Sequence, residues 1–221
     1  MSMGKIRTRF RDEIHLYFLL ESWKQKMGSS PAFLTGTLYW PVLTTALPRN
    51  VIDCCPYWHL FPSDLVDLAP ELIRSWPTFT NLSNFQFWEK EWRKHGTCAG
   101  CTETLNSPNK YFRASLFLHS KYNIDRAFRS GAIVPSCNSS YQLNTFKELL
   151  QPVLGDRYEL QCVIDTQGRQ ILVQIQVSIY SNFSTGCLPK PSDYSPYKPC
   201  RAQSPIFYFP PNQDNPRNPC P

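Results

Sequence analysis

Phe87-Trp88-Glu89-Lys90-Glu91-Trp92-Arg93-Lys94-His95-Gly96-Thr97-Cys98 brings an acid, a base, cations and large aromatic rings together in twelve residues. The pattern predicts a helix over Phe85–His95, stopped by Gly96. At about 100° of turn per residue, Glu91 and His95 lie four apart on one face, as do Lys90 and Lys94. These four side chains cover an arc of roughly 140°. Phe85, Trp88 and Trp92 fall beside it and are predicted to face a core, leaving His95 toward a cleft. An imidazole exchanges a proton near neutral pH, and Glu91 one turn earlier orients it or holds its charge. Lys94 suits a phosphate oxygen whose charge builds in a transition state. On spacing alone, a solvent-exposed face with i,i+4 Glu–His and mixed-charge pairs is the simpler account.

Working outward, Ser63–Trp76 reads as a helix capped by Ser63 or Asp64 and stopped by Pro77, with Leu65, Leu68, Leu72 and Ile73 at helical spacing. Tyr111–Tyr122 and Tyr141–Leu150 are further helix candidates. Phe33–Trp40 has the β-branched and aromatic content of a short strand ending at Pro41. Gln161–Val163 and Gln170–Tyr180 read as strands. In the second, Ile171, Val173, Ile175, Val177 and Ile179 alternate with Leu172, Gln174, Gln176 and Ser178. Residues 1–32 read as a polar, unpatterned leader. Beyond Pro189 the chain is loop-like apart from the apolar run Pro205–Phe209. Strands and helices do not alternate as βαβ units, which makes α+β the expected class.

The chain has 221 residues, 42% hydrophobic and 18% charged, a globular balance sufficient for one domain. A net charge of +6 favours a polyanion's approach without establishing one as partner. Nine cysteines point to an oxidising compartment and leave an odd thiol. Three N-glycosylation sequons, at Asn81, Asn138 and Asn182, point the same way. The amino terminus does not read as a signal peptide: the apolar part Ile14–Leu20 is short, holds His15 and is followed by Glu21. No apolar run approaches the ~20 residues that span a bilayer.

The segment Phe87–Cys98 resembles the second conserved active-site segment of the ribonuclease T2 family, Phe-Trp-x-His-Glu-Trp-x-Lys-His-Gly-Thr-Cys. Supporting similarity runs from about Phe33 to Pro211. It includes Leu38-Tyr39-Trp40-Pro41, Leu68-Ala69-Pro70-Glu71-Leu72, Ser75-Trp76-Pro77, Asn106-Ser107 with Lys110-Tyr111-Phe112, and Pro205–Pro211. The resemblance implies a ribonuclease T2-like α+β domain over 33–211, an antiparallel sheet with flanking helices, and a tail over 212–221. It also implies RNA as partner, a monomer, a secreted or lysosomal location, and no metal, cofactor or membrane. The family cleaves RNA without metal. The ribose 2′-hydroxyl attacks the adjacent phosphorus, giving a 2′,3′-cyclic phosphate and a free 5′-hydroxyl, with two histidines as acid and base. Carried over by motif, His95 is one of that pair and Glu91 and Lys94 stabilise the phosphorane. Lys90 stands where the family has a phosphate-binding histidine.

The family's other catalytic segment, Ile-His-Gly-Leu-Trp-Pro, should follow Tyr57-Trp58. Here His59-Leu60-Phe61-Pro62 comes next, and then the following helix, so about twenty residues are missing by motif count. His59 is either the histidine of a degraded motif, and a substitute partner for His95, or the residue before the helix with the block deleted. The second reading is preferred because helix similarity resumes within a few positions. The resemblance further implies a Cys162–Cys200 bridge. Cys187 is left facing Ser178 at its family partner's position, the usual partner of Cys98 lies in the missing block, and Cys101 and Cys220 are extra. His95, Cys98 and Cys101 have a zinc-like spacing, but only three ligands are local and the family uses Cys98 in a disulfide. Three readings remain: an endoribonuclease of impaired activity, a non-catalytic RNA-binding or secreted relative, or a truncated product that folds poorly. His15 and His119 are read as surface or packing residues.

Overall fold

In the computed structural model of the protein, the described residues are 55, 57–78, 82–100, 102–180, 182–185, 197–210 and 219–220, together with the backbone of 13–19 and 40–45. Glu13–Leu19 (β1), Trp40–Thr45 (β2), Tyr158–Ile164 (β4), Gln170–Tyr180 (β5) and Lys198–Pro199 (β6) form a sheet in the order β2-β1-β5-β4-β6. These pairs are antiparallel. Ile206–Phe207 (β7) adds one parallel pairing to β5 and an antiparallel one to Ser140–Tyr141 (β3), so the sheet is mixed rather than purely antiparallel. β1 and β7 share one edge of β5: β1 follows Gln174–Tyr180, and β7 takes Gln170–Ile171. Helices Ala69–Ser75 (α1), Asn84–Glu91 (α2), Thr97–Ala99 (α3), Pro108–Lys121 (α4), Ile124–Ser130 (α5) and Leu143–Leu154 (α6) supply the remainder of an α+β architecture. No helix among the described residues is long and apolar enough to cross a membrane.

Three features depart from the sequence reading. First, β1 lies inside residues 1–32, and its register runs Ile14 opposite Ile179, Leu16 opposite Val177 and Phe18 opposite Ile175. The short apolar run that failed as a signal is a strand of the sheet. Second, the strand expected to end at Pro41 instead runs from Trp40 through Pro41 to Thr45; residues 33–39 lie outside the described residues. Third, the helix expected over Ser63–Trp76 is a 3-10 turn at Pro62–Leu65 followed by α1. Asp64 accepts from the Phe61 N–H at 2.8 Å, capping the 3-10 turn rather than a long helix. Leu65, Leu68 and Leu72 are buried, but Ile73 points outward at 53% exposure.

The alternation in β5 is also interrupted. Pairing with β4 runs Gln161 opposite Gln174 and Cys162 opposite Leu172, leaving Val173 as the extra residue of a β-bulge. The bulge exchanges the two faces. Leu172, Ile175, Val177 and Ile179 join the main core with Leu160 and Cys162, whereas Ile171 and Val173 join a second cluster with Tyr197, Phe209 and Cys220. The other face also carries buried polar groups: the Gln161 amide donates to Glu159 at 2.6 Å and to Gln176 at 3.0 Å. Gln170 ties the loop before β7 to the sheet. Its amide donates to the Arg201 and Ser204 carbonyls at 3.1 and 3.0 Å and its carbonyl accepts from the Arg201 N–H at 2.7 Å.

The Cys162–Cys200 bridge is present, and it fastens β4 beside β6. A second bridge, Cys137–Cys220, was not foreseen, since Cys220 read as extra. It holds Cys220, within the tail expected over 212–221, in the second cluster. There Arg169 donates to the Cys220 carbonyl at 3.0 Å, pairs with Asp165 at 2.7 Å and lies 4.8 Å from the Phe209 ring centre. Cys98 is also disulfide-bonded, and its partner lies outside the described residues, as do Cys54, Cys101 and Cys187. Cys55 is a free thiol.

Candidate active site

The site is built on α2 and the turn that continues it. Ser83 accepts from the Gln86 N–H at 3.2 Å while the Gln86 side chain accepts from the Ser83 N–H at 2.9 Å, a reciprocal cap that fixes the helix start. Aromatic burial then fixes the helix face. Trp88 and Trp92 are buried and Phe85 packs against the core, as the aromatic ridge predicted, and Phe87, outside that ridge, is buried as well. Trp88 donates its indole N–H to the Trp76 carbonyl at 2.8 Å. Trp92 meets Tyr111 edge-on with ring centres 5.7 Å apart.

The predicted helix does not remain α-helical to His95. From Trp92 to Gly96 the backbone widens into a π turn, and the Thr97 N–H bonds back to the Trp92 carbonyl, five residues earlier. Gly96 is required at this point: a Cβ there would stand 2.0 Å from Cε3 of Trp92. The widened turn therefore needs both the indole and a residue without a side chain. Thr97 closes it by donating its hydroxyl to the Arg93 carbonyl at 2.8 Å.

Glu91 and His95 are brought together as spacing suggested, with Oε2 of Glu91 3.9 Å from Nε2 of His95. The glutamate side chain is 6% exposed and the histidine 21%, so a buried carboxylate backs an imidazole that reaches solvent. At that distance the contact is an ion pair when His95 is protonated, longer than a hydrogen bond. Lys94 and Arg93 are exposed on the same turn, and Lys90 is half-buried one turn earlier.

His59 is exposed on a neighbouring segment, outside α2 and its turn. That segment is docked on the site through the residue before it. The Trp92 indole N–H donates to the Trp58 carbonyl at 2.8 Å, and the two indoles meet edge-to-face, centres 5.0 Å apart and planes at 88°. Gly100 leaves room for this docking, since a Cβ there would lie 2.5 Å from Cζ3 of Trp58. The π turn, Gly100 and the Trp58–Trp92 pair were missed in the sequence, and Gly96, read as a helix stop, lies inside a helical run that continues through α3. The Gly following His95 was a visible signal, but its reason, the ring of Trp92, is a matter of three dimensions.

Of the other histidines, His119 is a half-buried packing residue on α4, and burial holds its pKa below the usual value, partly offset by Glu71. His15 lies on β1, in register with Ser178. Among the sequons, Asn138 and Asn182 are exposed and Asn81 lies outside the described residues. Asn182 accepts from the Ser184 N–H and hydroxyl at 3.0 and 2.7 Å. Among the described residues no cluster of metal-ligating side chains occurs.

The ribonuclease T2 family model matches residues 30–192. A relative named Ribonuclease T2 from Danio rerio is 34% identical over 183 residues, covering 81% of this chain and 75% of its own. Ribonuclease Oy from Magallana gigas is 32% identical over 180 residues, covering 80% of this chain and 82% of its own. The crystal structure of human RNase T2 superposes with a TM-score of 0.66 at 26% identity, covering 91% of this chain and 99% of that one. The structure of RNase NT shares the fold, with a TM-score of 0.70 at 21% identity over 91% of this chain and 98% of that one.

Proposed function

Given that the chain belongs to the ribonuclease T2 family, we propose that it is a metal-free endoribonuclease whose catalysis is impaired at one of its two acid–base positions. The observation that carries this reading is His95, backed at 3.9 Å by a buried Glu91 on a turn that Trp92 and Gly96 hold in place. In the reaction, the ribose 2′-oxygen forms a bond to phosphorus as its proton leaves. The bond from phosphorus to the 5′-oxygen then breaks as that oxygen takes a proton. His95 handles one of these protons, and Glu91 stabilises its imidazolium. Lys94 and Lys90 offset negative charge on the phosphorane oxygens.

The second proton needs a second group. In this reading His59 is the substitute partner, and its support is that the neighbouring Trp58 packs on Trp92 of the same turn as His95. It sits on an exposed segment with Leu60 inserted in the core one residue later. Such a partner is poorly preorganised, and losing one well-placed acid or base costs ~10²–10⁴ in rate. The competing reading is a non-catalytic relative that retains RNA affinity through Lys90, Lys94 and the net charge of +6. It is favoured by the same exposure of His59. Disulfides and exposed sequons support a secreted or lysosomal location, with glycans on Asn138 and Asn182.

The test is cleavage of single-stranded RNA at mildly acidic and neutral pH by the parent, His95→Ala and His59→Ala. Slow cleavage lost in both variants supports the paired-histidine enzyme. Cleavage lost in neither assigns the trace to a contaminant and leaves the binding reading.

A further inference from the structure

The turn that follows β5 has one side fixed to a helix and the other side bare. The Phe183 N–H bonds to the Tyr180 carbonyl at 2.8 Å, the Tyr180 N–H bonds to the Ser184 carbonyl at 2.9 Å, and Ile179 pairs with Thr185, so the chain reverses between Tyr180 and Ser184. Phe183 has a φ of 62°, the left-handed position that glycine usually fills in a bulged hairpin turn. Two anchors on α4 hold a bulky residue there. Its carbonyl accepts from Nζ of Lys121 and from the Tyr122 hydroxyl, both at 2.8 Å. Its ring packs against the main core, with its centre 6.3 Å from that of Phe117.

The bare side carries the sequon. Ile179 enters the main core, so Tyr180, the next residue of the strand, faces away from the helices. Tyr180 and Ser184 stand opposite each other, and cross-strand partners display their side chains on one face. The Ser184 hydroxyl donates to Oδ1 of Asn182 at 2.7 Å, which brings the Asn182 amide to that face as well. Tyr180 is 44% exposed and Asn182 is exposed. A half-bare aromatic ring and the amide that would carry a glycan therefore share one surface of a fixed turn.

We propose that the first N-acetylglucosamine of a glycan on Asn182 packs on the ring of Tyr180 and stabilises the turn, a proposal that rests on the glycosylated reading of Asn182 above. One face of that sugar's pyranose ring is lined with C–H bonds, and the negative face of an aromatic ring attracts them. The covalent tether makes the contact intramolecular, so it needs no affinity for free sugar. The Ser184 N–H and hydroxyl already hold Oδ1 of Asn182, which lowers the cost of ordering the sugar.

The full chain is secreted behind a cleavable leader from eukaryotic cells that make only high-mannose glycans. Asn81→Gln and Asn138→Gln leave one sequon, and an endoglycosidase trims its glycan to a single N-acetylglucosamine. Peptide mass spectrometry reads the occupancy of Asn182. Thermal unfolding then compares this form with Asn182→Asp, which keeps an acceptor for Ser184 and carries no sugar, each in the parent and in Tyr180→Leu. The sugar should raise Tm by about 2–4 °C in the parent and by less than about 1 °C beside Tyr180→Leu. Tyr180→Phe should keep the gain, because the contact uses the ring and not the hydroxyl. In proton NMR the sugar's ring protons should move upfield under the ring current in the parent and in Tyr180→Phe, and not in Tyr180→Leu. An equal gain in Tm with and without the ring, or sugar protons unshifted in the parent, overturns the contact and leaves glycosylation of Asn182 standing. An unoccupied Asn182 overturns both.

Discussion

The carboxyl-terminal sheet and the segment around His59 are held in opposite ways. The carboxyl-terminal region from Cys137 to Cys220, which includes strands β3 to β7, is bridged by Cys162–Cys200 and Cys137–Cys220, spanning 38 and 83 residues, and is further tied by Gln170 and Arg169. The segment 57–61 rests on an indole contact, a hydrogen bond to a carbonyl and one inserted leucine, beside a cysteine left as a free thiol. On the proposed reading the family's other catalytic segment is missing from the second region, so the loss falls on the chemistry while the core held by two disulfides is kept.

The largest effect that would sharpen this contrast is on rate. His95→Ala should lower residual RNA cleavage ~10²–10⁴-fold. The same substitution should move unfolding free energy by no more than about 0.5 kcal/mol, the usual range for a change away from the core. A large stability loss instead would make His95 a structural residue. Next in size are the staples. Replacing Cys162 and Cys200 together by serine should cost ~2–5 kcal/mol in urea unfolding, and replacing Cys137 and Cys220 should cost a similar amount. On loop entropy alone the two differ by less than about 1 kcal/mol, because the dependence on span is logarithmic. Losses under about 1 kcal/mol for both pairs would erase the distinction between the regions.

Trp92→Phe comes third. It leaves the Trp58 carbonyl without its donor, at ~1–3 kcal/mol. Amide exchange should accelerate at residues 57–60 while the carboxyl-terminal strands remain protected. Uniform acceleration would show that the two regions unfold as one. The smallest effect is on pH dependence. Burial depresses the folded pKa of His119, so its contribution is complete above the ordinary value of 6.5 and is lost as pH falls below it. His119→Gln should flatten the acid side of a stability profile measured by thermal unfolding. A profile unchanged by that substitution would remove His119 as the cause.

The helices and the site pair were legible in the sequence because their signals are local. Aromatic spacing marked the buried face of α2, and Glu91 and His95 at four residues apart met as spacing requires. The helix α5 was missed although Asn123 caps it and Ile124, Ala127 and Phe128 are buried at helical spacing; seven residues make a weak pattern. β1 was hidden because its partners stand near residue 175, far along the chain, and nothing within a seven-residue run declares them. The Cys137–Cys220 pairing was equally invisible, since connectivity does not follow from counting cysteines. At the site, the π turn escaped a uniform 100° wheel because it depends on a ring lying over Gly96.

The bulge at Val173 sets the two halves of β5 out of phase with each other. Sidedness in a strand is a count of odd and even, and Val173 is the position where the count slips by one. Without it, Ile171, Leu172, Gln174 and Ile175 would alternate in an unbroken ladder with β4, each on the face it now holds. With it, odd-numbered residues face away from the main core before the bulge and into it afterwards, so a period-two pattern read straight through the strand puts one half of it on the wrong face. Within this sheet, the spacing between residues is as much a part of the message as their identity.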